Sequence, residues 1–192
     1  MKLSFDNTIT QAQNCRLCES FLEPNPVFSI KPQAKLLIIG QAPGSKVHKT
    51  NIPWNDPSGD RLRSWLGVDR EQFYDSPDIA ILPCGLCYPG KGKSGDLPPP
   101  KICAQTWHTT LLALMPDVEL TLLIGQYAQN LYLAKNKQRT LTLTVQAYQQ
   151  YLSMGYFVLP HPSPRNGIWL RRNSWFDEEV VPALTRAVAK IL

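Results

Sequence analysis

The sequence predicts a three-layer α/β/α fold built on a central four-stranded, mainly parallel sheet. Three observations carry that expectation. Four short apolar runs recur along the chain, helical patterns lie between them, and each run stops abruptly at Gly or Pro. Strands covered on both faces need uninterrupted apolar side chains, whereas half-exposed strands alternate with polar ones. Strand and helix in alternation then gather such strands into one parallel sheet with helices on either side.

The apolar runs are KLLIIG at 35–40, DIAILP at 78–83, LTLLIG at 120–125 and YFVLP at 156–160. Their terminal Gly or Pro marks a sharp exit from the sheet. Residues 58–66 open on Ser58 and set Leu62, Trp65 and Leu66 on one helical face. Residues 100–114 repeat Ile102, Thr106, Thr110, Leu111 and Leu114 at helical spacing, and Pro116 stops the pattern. Two shorter helical segments follow at 126–134 and 142–152. The last helix, 175–192, carries the stripe Phe176, Val180, Leu184, Ala187 and Ile191, interrupted by Pro182. Residues 1–33 precede the first strand and read as a packed N-terminal extension bearing a C-x2-C pair. No internal repeat or linker divides the chain, so 1–192 is expected to be a single domain.

Composition excludes several classes. The chain is too apolar for disorder, at 43% hydrophobic and 18% charged residues. The uncharged apolar stretch running from Leu120 is broken by Thr121, Gln126, Gln129 and Asn130, which argues against a membrane-spanning helix. The first ten residues include Asp6 and no apolar core, so a secretory signal is not expected and a cytoplasmic location is. Twenty Lys and Arg against fifteen Asp and Glu give a net charge of +5, which permits a polyanionic partner without requiring one. Seventeen prolines without any low-complexity tract suggest rigid loops. Five cysteines and no signal argue against a disulfide framework.

In an open parallel sheet, ligands bind at the carboxyl ends of the strands, and the least ordinary residues of this sequence fall there. The first strand is followed by Gly40-Gln-Ala-Pro-Gly44. That segment reads either as a tight strand-to-helix turn or as a phosphate cradle, but it has neither Walker spacing nor a G-x-G-x-x-G pattern. The last strand is followed by His161-Pro-Ser-Pro164 and then by Arg165, Arg171 and Arg172. His161 is either a packed imidazole or a near-neutral donor to an anion forming on a leaving group. Cys15 and Cys18 form the C-x2-C pair, and fifteen residues separate Cys87 from Cys103. Two thiolates on a tight turn suit a tetrahedral metal, and buried reduced thiols are the other reading. Cys84 lies outside that pattern.

Taken together, Gly40-Gln-Ala-Pro-Gly44 and His161-Pro-Ser-Pro164 resemble the two signature motifs of the uracil-DNA glycosylase superfamily. The likeness extends from Cys15 to the last helix. It is nearest to the iron–sulfur branch (family 4), whose first motif reads G-E-A-P-G. The resemblance implies a uracil-DNA glycosylase-like fold and a base-excision repair hydrolase that cleaves the N-glycosidic bond of a flipped uracil or other deaminated base. It implies that His161 bonds the base carbonyl oxygen, with Gln41 and Ala42 presenting backbone amides to the base or the attacking water. Gly40, Pro43, Gly44, Trp54 and Ser163 become substrate-binding residues, Trp54 stacking on the base and Ser163 meeting a phosphate. Pro162, Arg165, Asn166, Ile168, Arg171 and Arg172 become DNA-facing, with Ile168 or Arg165 filling the vacated space. Lys91 and Lys93 would neutralise the DNA backbone. A 4Fe-4S cluster on Cys15, Cys18, Cys87 and Cys103 is implied, with zinc as the alternative. The partner is DNA containing a damaged or deaminated base, with no membrane involved, and the protein is expected to be a monomer.

Three positions depart from the family pattern. Ala42 stands where the most active uracil enzymes carry a water-orienting Asp, and Gln41 replaces the branch's Glu. Pro83 stands where the branch carries an Asn that reads the uracil edge, and proline offers neither a polar side chain nor an N–H. Asn55 and Asp56 supply polar atoms nearby. A nucleic-acid-binding relative with lost or altered chemistry is therefore the alternative function. An unrelated α/β hydrolase or nucleotide-binding enzyme is disfavoured by the absence of G-x-S-x-G and of a P-loop.

Overall fold

The computed structural model describes residues 4–192, so the first three residues of the expected N-terminal extension lie outside the described residues. Strands β1 (Leu36–Ile39), β2 (Ile79–Ile81), β3 (Leu120–Ile124) and β4 (Tyr156–Leu159) each fall inside the run that predicted them. They form one parallel sheet in the order β2-β1-β3-β4. Leu36 aligns with Ile79 on one side and Leu120 on the other, and Thr121 aligns with Tyr156.

The helices are α1 (Phe5–Gln13), α2 (Ser45–Thr50), α3 (Pro57–Leu66), α4 (Arg70–Asp75), α5 (Lys101–Leu112), α6 (Gly125–Leu133), α7 (Leu141–Gln146), α8 (Tyr148–Leu152), α9 (Gly167–Arg172) and α10 (Val181–Ala189). Successive strand residues point to opposite faces, and here both faces are covered. Leu36, Ile38, Leu122 and Phe157 pack with Leu62 and Trp65 of α3, Phe73 of α4, Val145 of α7 and Leu184 of α10. Leu37, Ile39, Leu123 and Val158 pack with Ala12 of α1, Leu111 of α5, Ala128 of α6 and Tyr151 of α8. That double burial is why the strands read as continuous apolar runs, and it establishes the α/β/α layering.

The helices differ from expectation in three ways. The segment 142–152 is two helices, α7 and α8, meeting at Ala147. The final helix begins as a π-turn over Phe176–Val180 and becomes α-helical with Pro182 in its first turn, where the missing N–H breaks no helical bond. Helices α2, α4 and α9 each have six residues, too few for a periodic signal. In the N-terminal segment, α1 packs on α5. Ser29 exchanges two backbone hydrogen bonds with Ile81, at 2.9 and 2.7 Å, which closes the outer edge of β2. Among the described residues, no helix is long and apolar enough to cross a membrane.

The sheet order puts β2 on one side of β1 and β3 on the other, so the chain reverses direction across β1. Such a switch point opens a crevice at the carboxyl ends of the strands. The ends of β3 and β4 are tied there by Gln129, a fully buried side chain of α6. Its amide nitrogen donates to Leu159 O at 2.9 Å and Leu123 O at 3.4 Å, two residues before His161. Replacing Gln129 with Leu leaves the Leu159 carbonyl buried without its donor, a loss of about 1–3 kcal/mol. Urea unfolding of Gln129→Leu is expected to show that loss at an unchanged m-value.

Candidate active site

The crevice is a cleft of about 700 Å³ at the carboxyl ends of the strands. The β1 exit loop lines it with Gly40, Gln41, Ala42, Pro43 and Gly44, the β4 exit loop with His161, Ser163, Arg165 and Asn166, and Trp54 and Pro83 complete the walls. Most of the residues singled out in the sequence are thus gathered in one place. Pro162 is buried, while Ile168, Arg171 and Arg172 are exposed on α9, beside the β4 exit loop. Lys91 and Lys93 are exposed on a hairpin over the cleft.

The first loop is held by its carbonyls. Cys84 N–H donates to Gly40 O at 2.9 Å and Gly85 N–H to Gln41 O at 3.0 Å, so the chain beyond β2 continues to pair beside the chain beyond β1. Gly40 has no Cβ for a specific reason: one would stand 2.9 Å from the Trp54 indole. The indole therefore lies directly across the end of β1. Trp54 adopts a left-handed backbone, φ 56°, which is unfavourable for a bulky residue. Its surroundings enforce it. The buried Arg63 guanidinium donates to Trp54 O at 3.4 Å, and Tyr74 Oη donates to the neighbouring Pro53 O at 2.8 Å. Asp56 caps α3 by accepting from Gly59 N–H at 2.8 Å, and a Cβ on Gly59 would lie 1.7 Å from Trp54 O.

His161 lies beyond the indole, with ring centroids 5.6 Å apart and planes inclined at 32°. Its own loop fixes it. Ser163 N–H donates to Nδ1 at 3.2 Å and Asn166 Nδ2 donates to His161 O at 2.7 Å. Arg61 of α3 reaches across to donate to Pro162 O and Ser163 O at 3.2 and 3.1 Å. Because a backbone amide already occupies Nδ1 as an acceptor, the neutral ring carries its proton on Nε2. Burial pushes the imidazole below its ordinary value, against the opposing pull of the Asp56 and Asp96 carboxylates.

Pro83 is anchored from behind. His108 Nε2 donates to Pro83 O at 3.1 Å, and His108 Nδ1 accepts from Tyr132 Oη at 2.6 Å. Burial lowers the His108 pKa as well, opposed by its bond to the Pro83 carbonyl.

The expected cofactor is corrected by the structure. Cys15, Cys18, Cys87 and Cys103 do line one cavity, walled by Leu17, Leu22, Pro24, Pro26 and Leu86. That cavity holds about 20 Å³, the room of a single water and far less than a four-iron cluster needs. All five cysteines are free. Burial raises the thiol pKa of Cys18 and Cys87 and pushes Cys103 up to about 12, which favours the protonated form of these three. Cys103 Sγ instead accepts Leu86 N–H at 3.2 Å. Among the described residues, no group of three or more His, Cys, Asp or Glu is placed to hold a metal ion, which overturns both the 4Fe-4S cluster and zinc. Cys84 is buried and does not line this cavity, its thiol likewise raised to about 12.

Several residues of the site were given no functional role from sequence. Arg61 buttresses the His161 loop from a helix, a role that periodicity does not reveal. Asp56, Asp96 and Gln126 line the cleft, and of these only Asp56 announces itself, through the Asp-Pro start of a helix. Compared with known families, the chain matches the model described as the Uracil DNA glycosylase superfamily over residues 28–185, most of its length. Nothing in that match singles out the iron–sulfur branch.

Two outcomes follow from this packing. Gly59→Ala must displace the Trp54 backbone, costing about 1–3 kcal/mol in denaturant unfolding. His108 and His161 resist protonation when folded but take protons near pH 6.5 when unfolded. Their contribution leaves stability intact above that pH and subtracts from it as pH falls below. Calorimetry should show Tm declining from about pH 7.5 to about 5.5, and His108→Gln should show a smaller decline.

Proposed function

The chain belongs to the uracil-DNA glycosylase superfamily, and on that premise we propose that it is a DNA glycosylase, hydrolysing the N-glycosidic bond of a uracil or other deaminated base turned out of the stack. Breaking that bond leaves a cationic sugar and an anionic base, so the reaction needs a fixed donor for the departing base. The observation that carries the reading is the state of His161. Its Nδ1 is filled by Ser163 N–H, burial keeps the ring neutral, and Nε2–H is left as its donor in the cleft it lines. Such a donor suits a base carbonyl oxygen that gains charge as the bond breaks.

In this reading Trp54 supplies the flat face on which the base stacks, worth about 1–3 kcal/mol. Gly40, Gln41, Ala42, Pro43 and Gly44 form the loop beneath it. Ser163 Oγ accepts Arg165 N–H at 3.2 Å, and its hydroxyl proton serves a phosphate oxygen. Arg165, Asn166, Ile168, Arg171 and Arg172, with Lys91 and Lys93, form the rim that meets the DNA backbone. Pro83 offers the base a ring and no hydrogen bond, so at that position the site selects by shape. The protein is taken to work as a single-domain cytoplasmic monomer in base-excision repair.

The test is base release. Duplex and single-stranded oligonucleotides carrying uracil, hypoxanthine, xanthine or a thymine mismatch are incubated with wild type and with His161→Ala, and abasic sites are scored by alkaline cleavage. Wild type should cut at least one of them, and His161→Ala should be slower by about 10²–10³-fold. Salt-sensitive DNA binding without release of any base would overturn the enzyme in favour of a binding protein.

A further inference from the structure

Hydrolysis needs a base to take the proton of a water aligned on the sugar carbon, and the β1 exit loop supplies no ionisable one, having Ala42 beside a Gln41 whose amide nitrogen is committed to Leu97 O at 3.1 Å. We propose that Asp96, on the hairpin that follows β2, is the catalytic carboxylate that orients and deprotonates this water. The proposal rests on the glycosylase reading above and adds to it a residue outside both sequence motifs.

Two carboxylates line the cleft, Asp56 and Asp96. Asp56 is already employed as the cap of α3, with Oδ1 on Gly59 N–H. Asp96 is not. It is exposed, belongs to neither of the salt bridges found among the described residues, and takes one long hydrogen bond from Tyr88 Oη at 3.4 Å. Its Oδ2 stands over the β1 exit loop, 3.8 Å from where a Gly44 Cβ would be.

The hairpin that carries it is built to hold that position. Lys91 and Asp96 bridge antiparallel, Gly92 N–H donates to Gly95 O at 2.6 Å and Leu97 N–H to Gly90 O at 2.9 Å. Gly90 and Gly95 both have positive φ, 94° and 151°. One side of the hairpin is tied to the first loop through Gln41 and Leu97. The other is tied to the His161 loop by Arg165 Nη1, which donates to Ser94 O at 3.3 Å. The hairpin therefore spans the two motifs and hangs Asp96 between them.

Charge supports the assignment. A carboxylate without an ion pair in a cleft that faces a polyanion weakens binding, on a chain whose net charge is +5. It becomes favourable when the reacting sugar turns cationic. In the step, the C1′–N bond breaks and its electron pair moves onto the base, whose carbonyl oxygen is held by His161 Nε2–H. The water oxygen bonds to C1′ and its proton passes to Asp96, which returns it to the base anion or to solvent. The products are the free base and a sugar with a 1′-hydroxyl, and no other reactant is consumed.

The test is single-turnover release, by the full-length protein, of whichever base wild type excises. Asp96→Asn should fall to about 1% of wild type or less, with DNA affinity unchanged or tighter because a like charge is gone. Asp96→Ala should be partly rescued by added formate, a small carboxylate that fits the vacated place; a merely structural residue gives no such rescue. Asp96→Asn within about threefold of wild type overturns the assignment. So does a slow Asp96→Ala that formate fails to restore, and so does a loss of rate matched by a loss of affinity. If wild type itself releases no base, the glycosylase reading fails and this assignment falls with it; an active wild type confines the failure to Asp96.

Discussion

The cleft depends on one close approach, the Trp54 indole lying across the end of β1. Gly40 makes it possible, since any side chain there would stand 2.9 Å from the ring. The left-handed turn at Trp54 costs about 1–3 kcal/mol on its own, and it persists because its neighbours allow no other path. Gly59 leaves room for Trp54 O, Arg63 donates to that same oxygen, and Tyr74 fixes the residue before it. Helix α3 thus does more than cover the sheet. Its first turn shapes the aromatic wall, and its Arg61 reaches the opposite loop to hold the carbonyls beside His161. Wall and donor are positioned from one helix, so they are in register before any ligand arrives.

How much of this was legible in the sequence follows from how local each determinant is. The four strands were legible because burial on both faces leaves an unbroken apolar signature. The place of His161 in the cleft was legible because it follows such a strand by two residues. The turn at Trp54 was not, since its conformation is set by Gly59, Arg63 and Tyr74, which converge only after α3 and α4 are packed. Asp96 was hidden for a different reason: a short Gly-rich hairpin has no periodicity, and its importance comes from ties to Gln41 and Arg165, distant in the chain. The cysteines show the limit of spacing as a guide. Their pattern led to an expected metal site, yet the four that line one cavity are not placed to hold a metal ion. Whether thiols bind a metal also depends on room, and here apolar walls leave about 20 Å³ among them.

The electrostatics of the cleft run against the charge of the whole chain. A protein with net charge +5 places two carboxylates, Asp56 and Asp96, around its one cleft histidine. Both favour the imidazolium, and the phosphates of a bound DNA would add to them. Were those charges decisive, His161 would be a cation paired with its neighbours, and the cleft would be arranged around an ion pair instead of a donor.

Two features decide otherwise. Burial of the ring removes solvent that would stabilise its charge, and this outweighs the carboxylates. The Ser163 N–H on Nδ1 is the more specific constraint, because a second ring proton would have to face that amide hydrogen at 3.2 Å, donor against donor. Protonation therefore requires the His161 loop to open, and Arg61 and Asn166 hold it shut through Pro162 O, Ser163 O and His161 O. The neutral Nε2–H donor is thus a consequence of backbone geometry. That geometry begins with proline on either side of Ser163, which restricts the chain to the turn in which its N–H points back at the ring.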